Sequence, residues 1–269
     1  MMIIYNFYLF SFLLTGGYCY YKDCIEETNI KKKVINYNKY RESLALVLFN
    51  ILVTGYIGLM FLIWLFNYEP RDFNLFLGIR DYFISVFMAS VFFYFAHRAF
   101  HINKTLYKFH IVHHKFKYPI GLRAAYTHPV DYIFGNIVPF GMTPFFLNTD
   151  VFTMCLITYS TVYSTVINEH SDYNNCKHHL DHHKYFNCNY GADWMDEYFG
   201  TLRIPKKPKL NVNKENVTNI TETNNINTNI PDNNNSNDEN SNNTDDISEN
   251  YVDLKEVSEP SPEISVTNI

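Results

Sequence analysis

The chain has 269 residues, enough for one domain of ordinary size and an appendage. Phe (23) and Tyr (22) are abundant, and the net charge of −5 is uneven: from Lys206 onward twelve Asp/Glu oppose five Lys/Arg, so residues 1–205 carry about +2. No basic stripe marks a nucleic-acid partner, and five scattered cysteines without a CxxC pair argue against a disulfide scaffold.

Residues 1–21 are uncharged and largely apolar and lack the basic start of a signal peptide. They predict a membrane-embedded helix within an N-terminal segment, 1–43. Leu44 to Tyr68 is 25 residues without a charge, bounded by Glu42 and Glu69. At 1.5 Å per residue that crosses a hydrocarbon core with some tilt. Tyr82 to Ala96 is apolar but short, and completes a span only if its helix runs on into the polar stretch that follows. Tyr132 to Thr149 is apolar but interrupted by Gly135, Pro139, Gly141 and Pro144; Val151 to Asn168 lies between Asp150 and Glu169. Together these two read as a hairpin that enters the membrane and returns. So many near-uncharged runs disfavour a buried soluble core.

Lys31, Lys32, Lys33, Lys39 and Arg41 precede the long span, and Arg98, Lys104, Lys108, Lys115, Lys117 and Arg123 follow the third apolar segment. The positive-inside rule places both groups in the cytosol with two crossings between them. Residues 97–128 and 170–205 then share the cytosolic side. Sixteen of residues 211–250 are Asn, a composition that cannot bury enough apolar surface to offset its ordering entropy. The expected organisation is therefore 1–43, a membrane-embedded domain at 44–205, and a disordered acidic tail at 206–269.

All eleven histidines lie between positions 97 and 183. His97-Arg-Ala-Phe-His101 is an HxxxH box, and His110-Ile-Val-His113-His114 is an HxxHH box. His179-Leu-Asp-His182-His183 is a second HxxHH box, with His178 just before it; His128 and His170 stand apart. Spacings of three and four share a helix face, so each box is expected to present one imidazole cluster at the membrane boundary. A lone HxxxH is more often structural; three boxes with matched spacing point to metal. Neutral imidazole suits iron, copper or zinc. A structural zinc needs about four ligands, usually including thiolates, and there is no HExxH motif. Two metals fit the ligand count better, and two irons could activate dioxygen. No GxGxxG loop or haem-attachment motif is present, so electrons must come from outside.

The sequences HRAFH, HIVHH and HHLDHH, in that order, resemble the signature of the fatty acid hydroxylase and sterol desaturase superfamily of membrane di-iron enzymes. The resemblance runs from about Phe92 to Pro205. Tyr107-Lys108, the block from Pro119 to His128-Pro129, and His170-Ser171 with Tyr173 look most like C-4 methylsterol oxidases. Asn189-Tyr190-Gly191 and the close from Trp194 to Arg203 are shared with C-5 sterol desaturases and cholesterol 25-hydroxylase. The resemblance implies an all-α integral-membrane bundle with a cytosol-facing di-iron site. It assigns His97, His101, His110, His113, His114, His179, His182 and His183 as iron ligands, with His128 and His170 as further ligands or as groups that orient them. Asp181 reads as solvent-facing, and Trp194, Asp196 and Gly200 as holding the C-terminal fold. The implied activity is O2-dependent oxidation of sterol C-4 methyl groups in the endoplasmic reticulum membrane, with electrons from NAD(P)H through cytochrome b5 or its reductase. C-5 desaturation and side-chain hydroxylation remain alternatives, as does a membrane metal-binding protein without activity.

Overall fold

The computed structural model describes residues 2–117, 120–171, 173 and 178–203. The expected tail at 206–269 lies outside the described residues. Every regular element described is helical, as the sequence predicts. In chain order these are α1 (Met2–Glu26), α2 (Ile30–Phe66), α3 (Leu75–Ile102), α4 (Lys104–His110), α5 (129–146), α6 (Val151–Asn168), α7 (His178–Tyr185) and α8 (Asp193–Tyr198). Four of them, α1, α2, α3 and α6, are long and apolar enough to cross a membrane.

Helix α2 begins well before the uncharged run that announces it. Asn29 caps it by accepting from the Lys32 N–H, and it continues for 37 residues. That is about 55 Å, far more than a ~30 Å hydrocarbon core, so its basic first turns project beyond the span. Helix α3 likewise runs on through both residues of the first histidine box, from Asn74, which caps it, to Ile102. The hairpin forms as expected, but its first arm is one continuous helix despite Pro139 and Pro144. A π-helical turn at Tyr132–Ile137 precedes the first proline. The wider turn shifts the hydrogen-bond register and absorbs positions with no N–H to donate.

The far end of the bundle is tied by charge. Asp81, fully buried, accepts from Arg71, from Arg80 at 2.8 Å and from the Thr149 hydroxyl at 3.1 Å. Tyr68 donates to the Thr149 carbonyl, which fastens the α2–α3 loop to the tip of the hairpin. The other end is tied by α2. Asn50, a polar residue inside the apolar run and fully buried, donates to the carbonyls of Ala125 and Thr127 at 2.9 and 2.7 Å. Buried amides need such partners, and this one anchors the loop that leads into α5. Lys115 pairs with Glu42 at 2.7 Å, and Arg123 donates to the Lys39 carbonyl. The basic start of α2 therefore stands at the same end of the bundle as the histidines.

The apolar core between α1, α2 and α6 is built from Tyr8, Phe12, Val47, Ile51, Val162 and Val166. Gly121 makes this packing possible. A Cβ there would stand 2.4 Å from Cys19 Sγ and 2.9 Å from the Val166 carbonyl oxygen.

Candidate metal centre

Four stretches of chain bring their histidines to one end of the bundle. The last two turns of α3 supply His97 and His101. The end of α4 and a 3-10 turn at His113–Lys115 supply His110, His113 and His114. His170 follows α6, and α7 supplies His179, His182 and His183. Nine of the ten expected ligand residues fall into two groups. His97, His101, His110, His114 and His182 form one; His113, His170, His179 and His183 form the other. Within each group the ligand nitrogens all lie within 4.8 Å of one another.

The groups do not follow the boxes. Both HxxHH boxes are divided between them. The i,i+4 pairs His97/His101, His110/His114 and His179/His183 stay together, while the i+3 members His113 and His182 join the opposite group. At 3.6 residues per turn, i+3 and i+4 lie about 100° apart around a helix. One box can therefore reach two centres, where the sequence suggested one cluster per box.

His128 belongs to neither group. It precedes Pro129 and caps α5, its Nδ1 accepting from the Val130 N–H at 3.2 Å, while its ring packs 4.7 Å from that of Phe109. His178 also stands outside, 2.9 Å from Asp193 and 3.1 Å from Asp196.

The geometry fits metal ions. In the first group the Nε2 atoms of His97, His110, His114, His101 and His182 follow one another at 3.1–3.2 Å, and His113 and His170 stand 3.2 Å apart in the second. Imidazole nitrogens each ~2.0–2.1 Å from a shared ion would be about 2.9–3.4 Å apart. His179 Nε2 and both ring nitrogens of His183 are buried without a hydrogen-bond partner. Buried polar atoms are rarely left so, and a bound cation would occupy His179 Nε2 and one ring nitrogen of His183. Burial, then the neighbouring imidazoles, holds His113 down at about 3; burial alone holds His170 at about 4. His114, His179, His182 and His183 are lowered for the same reasons, desolvation first. These rings are neutral at pH 7 and can bind metal without releasing protons.

The rings are oriented from outside. His97 Nδ1 donates to the Tyr190 carbonyl at 2.6 Å, His182 Nδ1 to Cys188 at 2.7 Å, His170 Nδ1 to Thr165 at 2.7 Å and His113 Nδ1 to Tyr126 at 3.3 Å. Such bonds leave Nε2 free for a metal. His110 alone uses a side chain: its Nδ1 donates to Asp131 at 2.9 Å, and Asp131 also accepts from the Thr127 hydroxyl. Sequence reading stopped at His128-Pro129 and missed this carboxylate three residues on. The available signal was an acidic residue opening an otherwise apolar helix.

The expected structural residues sit where their roles require. Asp196 is fully buried and accepts from the Tyr190 and Gly191 N–H groups, the Thr201 hydroxyl and His178. It thus shapes the loop whose Tyr190 carbonyl orients His97. Trp194 stacks on Phe87, and Gly200 has φ +67°. Asp181 is not merely solvated: it pairs with Arg203 at 2.8 Å.

A cavity of about 330 Å³ opens beside the rings. Both groups reach it, the first through His97 and His110 and the second through His113, His170 and His179. It extends between α3, α5 and α6 as far as Tyr82, fifteen residues and so about 22 Å along α3 from His97.

Residues 82–201 match the model of the fatty acid hydroxylase family. Among curated proteins the chain is similar to fatty acid hydroxylase domain-containing protein 2 of Macaca fascicularis, at 26% identity, covering 66% of this chain and 57% of the relative. It is also similar to methylsterol monooxygenase 1 of Danio rerio (32%; 40% and 42%) and to sphinganine C4-monooxygenase 2 of Arabidopsis thaliana (32%; 34% and 38%). The chain spans about half the length of the curated relatives it matches, or less. No solved structure matches. The segment that matches the fatty acid hydroxylase family, Tyr82 to Thr201, is the one that carries all nine grouped histidines.

Proposed function

We propose that this protein is a membrane di-iron oxygenase that hydroxylates a lipid, and that the lipid is a sterol oxidised at a C-4 methyl group. The observation that carries the oxygenase reading is the junction of two all-imidazole groups with a cavity that runs between helices long and apolar enough to cross a membrane. Nine histidines would hold the two irons, and His128 would not be a ligand.

Irons held there would supply dioxygen reduction and an oxidant able to break an unactivated C–H bond. The balance is R–H + O2 + 2 e− + 2 H+ → R–OH + H2O. The electrons come from NAD(P)H through cytochrome b5 or its reductase, arriving at the end of the bundle that carries the basic start of α2.

The chain's own residues do the rest. The four carbonyls and Asp131 hold the rings in the Nδ1–H tautomer. Phe93 and Phe140, stacked at 5.2 Å, form an apolar wall across from α6, suited to a flat or extended hydrocarbon. The sterol assignment draws on the methylsterol monooxygenases among the relatives and on the motifs around His128 and His170.

Purified protein should contain about two irons per chain. Expression in cells blocked at sterol C-4 demethylation should restore the demethylated sterol. Restoration only of cells blocked at C-5 desaturation would replace the C-4 assignment, and zinc or no metal in the isolated protein would remove the oxygenase reading.

A further inference from the structure

The cavity wall has a chemistry that an unfunctionalised hydrocarbon does not need. Near its histidine end the Glu169 side chain faces the space. Among the described residues this carboxyl makes no hydrogen bond and no ion pair. A carboxyl that lines a cavity without a protein partner keeps its acceptor capacity for whatever fills that space.

The opposite end of the cavity has no such unmet capacity. There the Tyr82 and Ser160 hydroxyls bond to each other at 2.9 Å. A narrower cavity of about 100 Å³, reaching Leu62 and Met154, shares Asn136, Phe140, Thr161 and Thr165 with the main one. The space therefore has an unpartnered acceptor beside the metal groups, and apolar side chains, Val86, Ala89 and Phe93, along its α3 wall.

We propose that Glu169 binds a hydrogen-bond-donating group of the lipid substrate, a hydroxyl or an ammonium, and so confines oxidation to a carbon a few bonds from that group. The inference rests on the oxygenase reading above. Its geometric basis is adjacency. Glu169 and His170 are successive residues, about 3.8 Å apart at Cα, and both face the cavity with His113 and His179. A polar group seated on Glu169 leaves little distance between itself and the carbon presented to the rings. The rest of the lipid then lies toward Tyr82.

The test uses full-length, iron-loaded protein and two matched pairs: a 4,4-dimethylsterol and its 3-O-methyl ether, and hexadecanol and its methyl ether. Kd is read by scintillation proximity for the wild type, Glu169→Leu and Glu169→Gln, with iron content measured in each. The wild type should hold the free alcohol of at least one pair about 10- to 100-fold more tightly than the ether, the scale of a hydrogen bond to a carboxylate. Glu169→Leu should abolish that discrimination at unchanged iron content, and Glu169→Gln should retain part of it. The proposal is overturned if the wild type binds alcohol and ether alike or binds neither alcohol. It is equally overturned if Glu169→Leu still discriminates, or if Glu169→Leu loses iron, which would assign the residue to the metal centre. Discrimination confined to the linear pair would sink the sterol assignment and leave Glu169 in its role. Sterol turnover without discrimination would do the reverse.

Discussion

Replacing Asp131 by Ala should weaken metal binding at one centre and spare the other. The carboxylate is 2% exposed and accepts both from His110 Nδ1 and from the Thr127 hydroxyl. It alone fixes the tautomer that directs His110 Nε2 to within 3.1 Å of the Nε2 atoms of His97 and His114. It makes no hydrogen bond to any member of the four-histidine group. Loss of such an outer hydrogen bond typically lowers metal affinity about 10- to 100-fold, or roughly 1.4–2.7 kcal/mol. Asp131→Asn should fall between, because its amide oxygen can still accept from His110. The assay is an anaerobic titration of metal-free, full-length protein with Co(II), followed by its visible bands. Two binding phases are expected in the wild type, and one of them should shift by this factor in Asp131→Ala. Equal weakening of both phases, or of neither, would refute the idea that side-chain support is confined to the five-histidine group.

Three further outcomes follow from the structure. His101→Ala should cut iron toward one per chain, whereas His128→Ala should keep about two and lose the capping bond of α5, about 1 kcal/mol of stability, together with its ring contact to Phe109; iron analysis with thermal unfolding separates them. In the metal-free protein, His113 and His170 stay neutral down to about 3 and 4, while the same rings in the unfolded chain take up protons near 6.5. The unfolded state therefore binds more protons through this interval, so stability is full above about pH 6.5 and falls as pH drops toward 4; a Tm that rises between pH 7 and pH 5 would contradict this. Gly121→Ala should lower the Tm, costing about 1–3 kcal/mol, because the new methyl meets Cys19 and the Val166 backbone; an unchanged Tm in detergent would show that α1 and α6 are not held as close as described.

The residues that carry the chemistry were legible because imidazole is rare and its spacing is local. HRAFH, HIVHH and HHLDHH announce a metal centre from contacts within one or two turns. The hairpin was legible too, since Asp150 and Glu169 bound its second arm. Less visible was anything that depends on a partner far along the chain. Asn50 looks like a blemish in an apolar run until it is seen holding carbonyls 75 and 77 residues away. Charge-free windows placed the start of α2 at Leu44, because hydropathy reports the membrane rather than the helix, which begins at Ile30. His128 lies outside both histidine groups and caps α5, a placement that spacing alone does not reveal. Asp131 and Glu169 went unassigned for the converse reason: a single carboxylate has no periodicity, and only the fold shows what it faces.

Four of the five partners that orient the imidazoles are main-chain carbonyls, those of Tyr126, Thr165, Cys188 and Tyr190. No point substitution can delete a carbonyl. The side chains at those four positions can be exchanged without touching the atom that steers the ring, provided the loop keeps its path. The centre's vulnerability is thereby moved from chemistry to loop shape, and it concentrates in residues that set that shape, Asp196 foremost. Damage there would disorder the imidazoles without altering any of them.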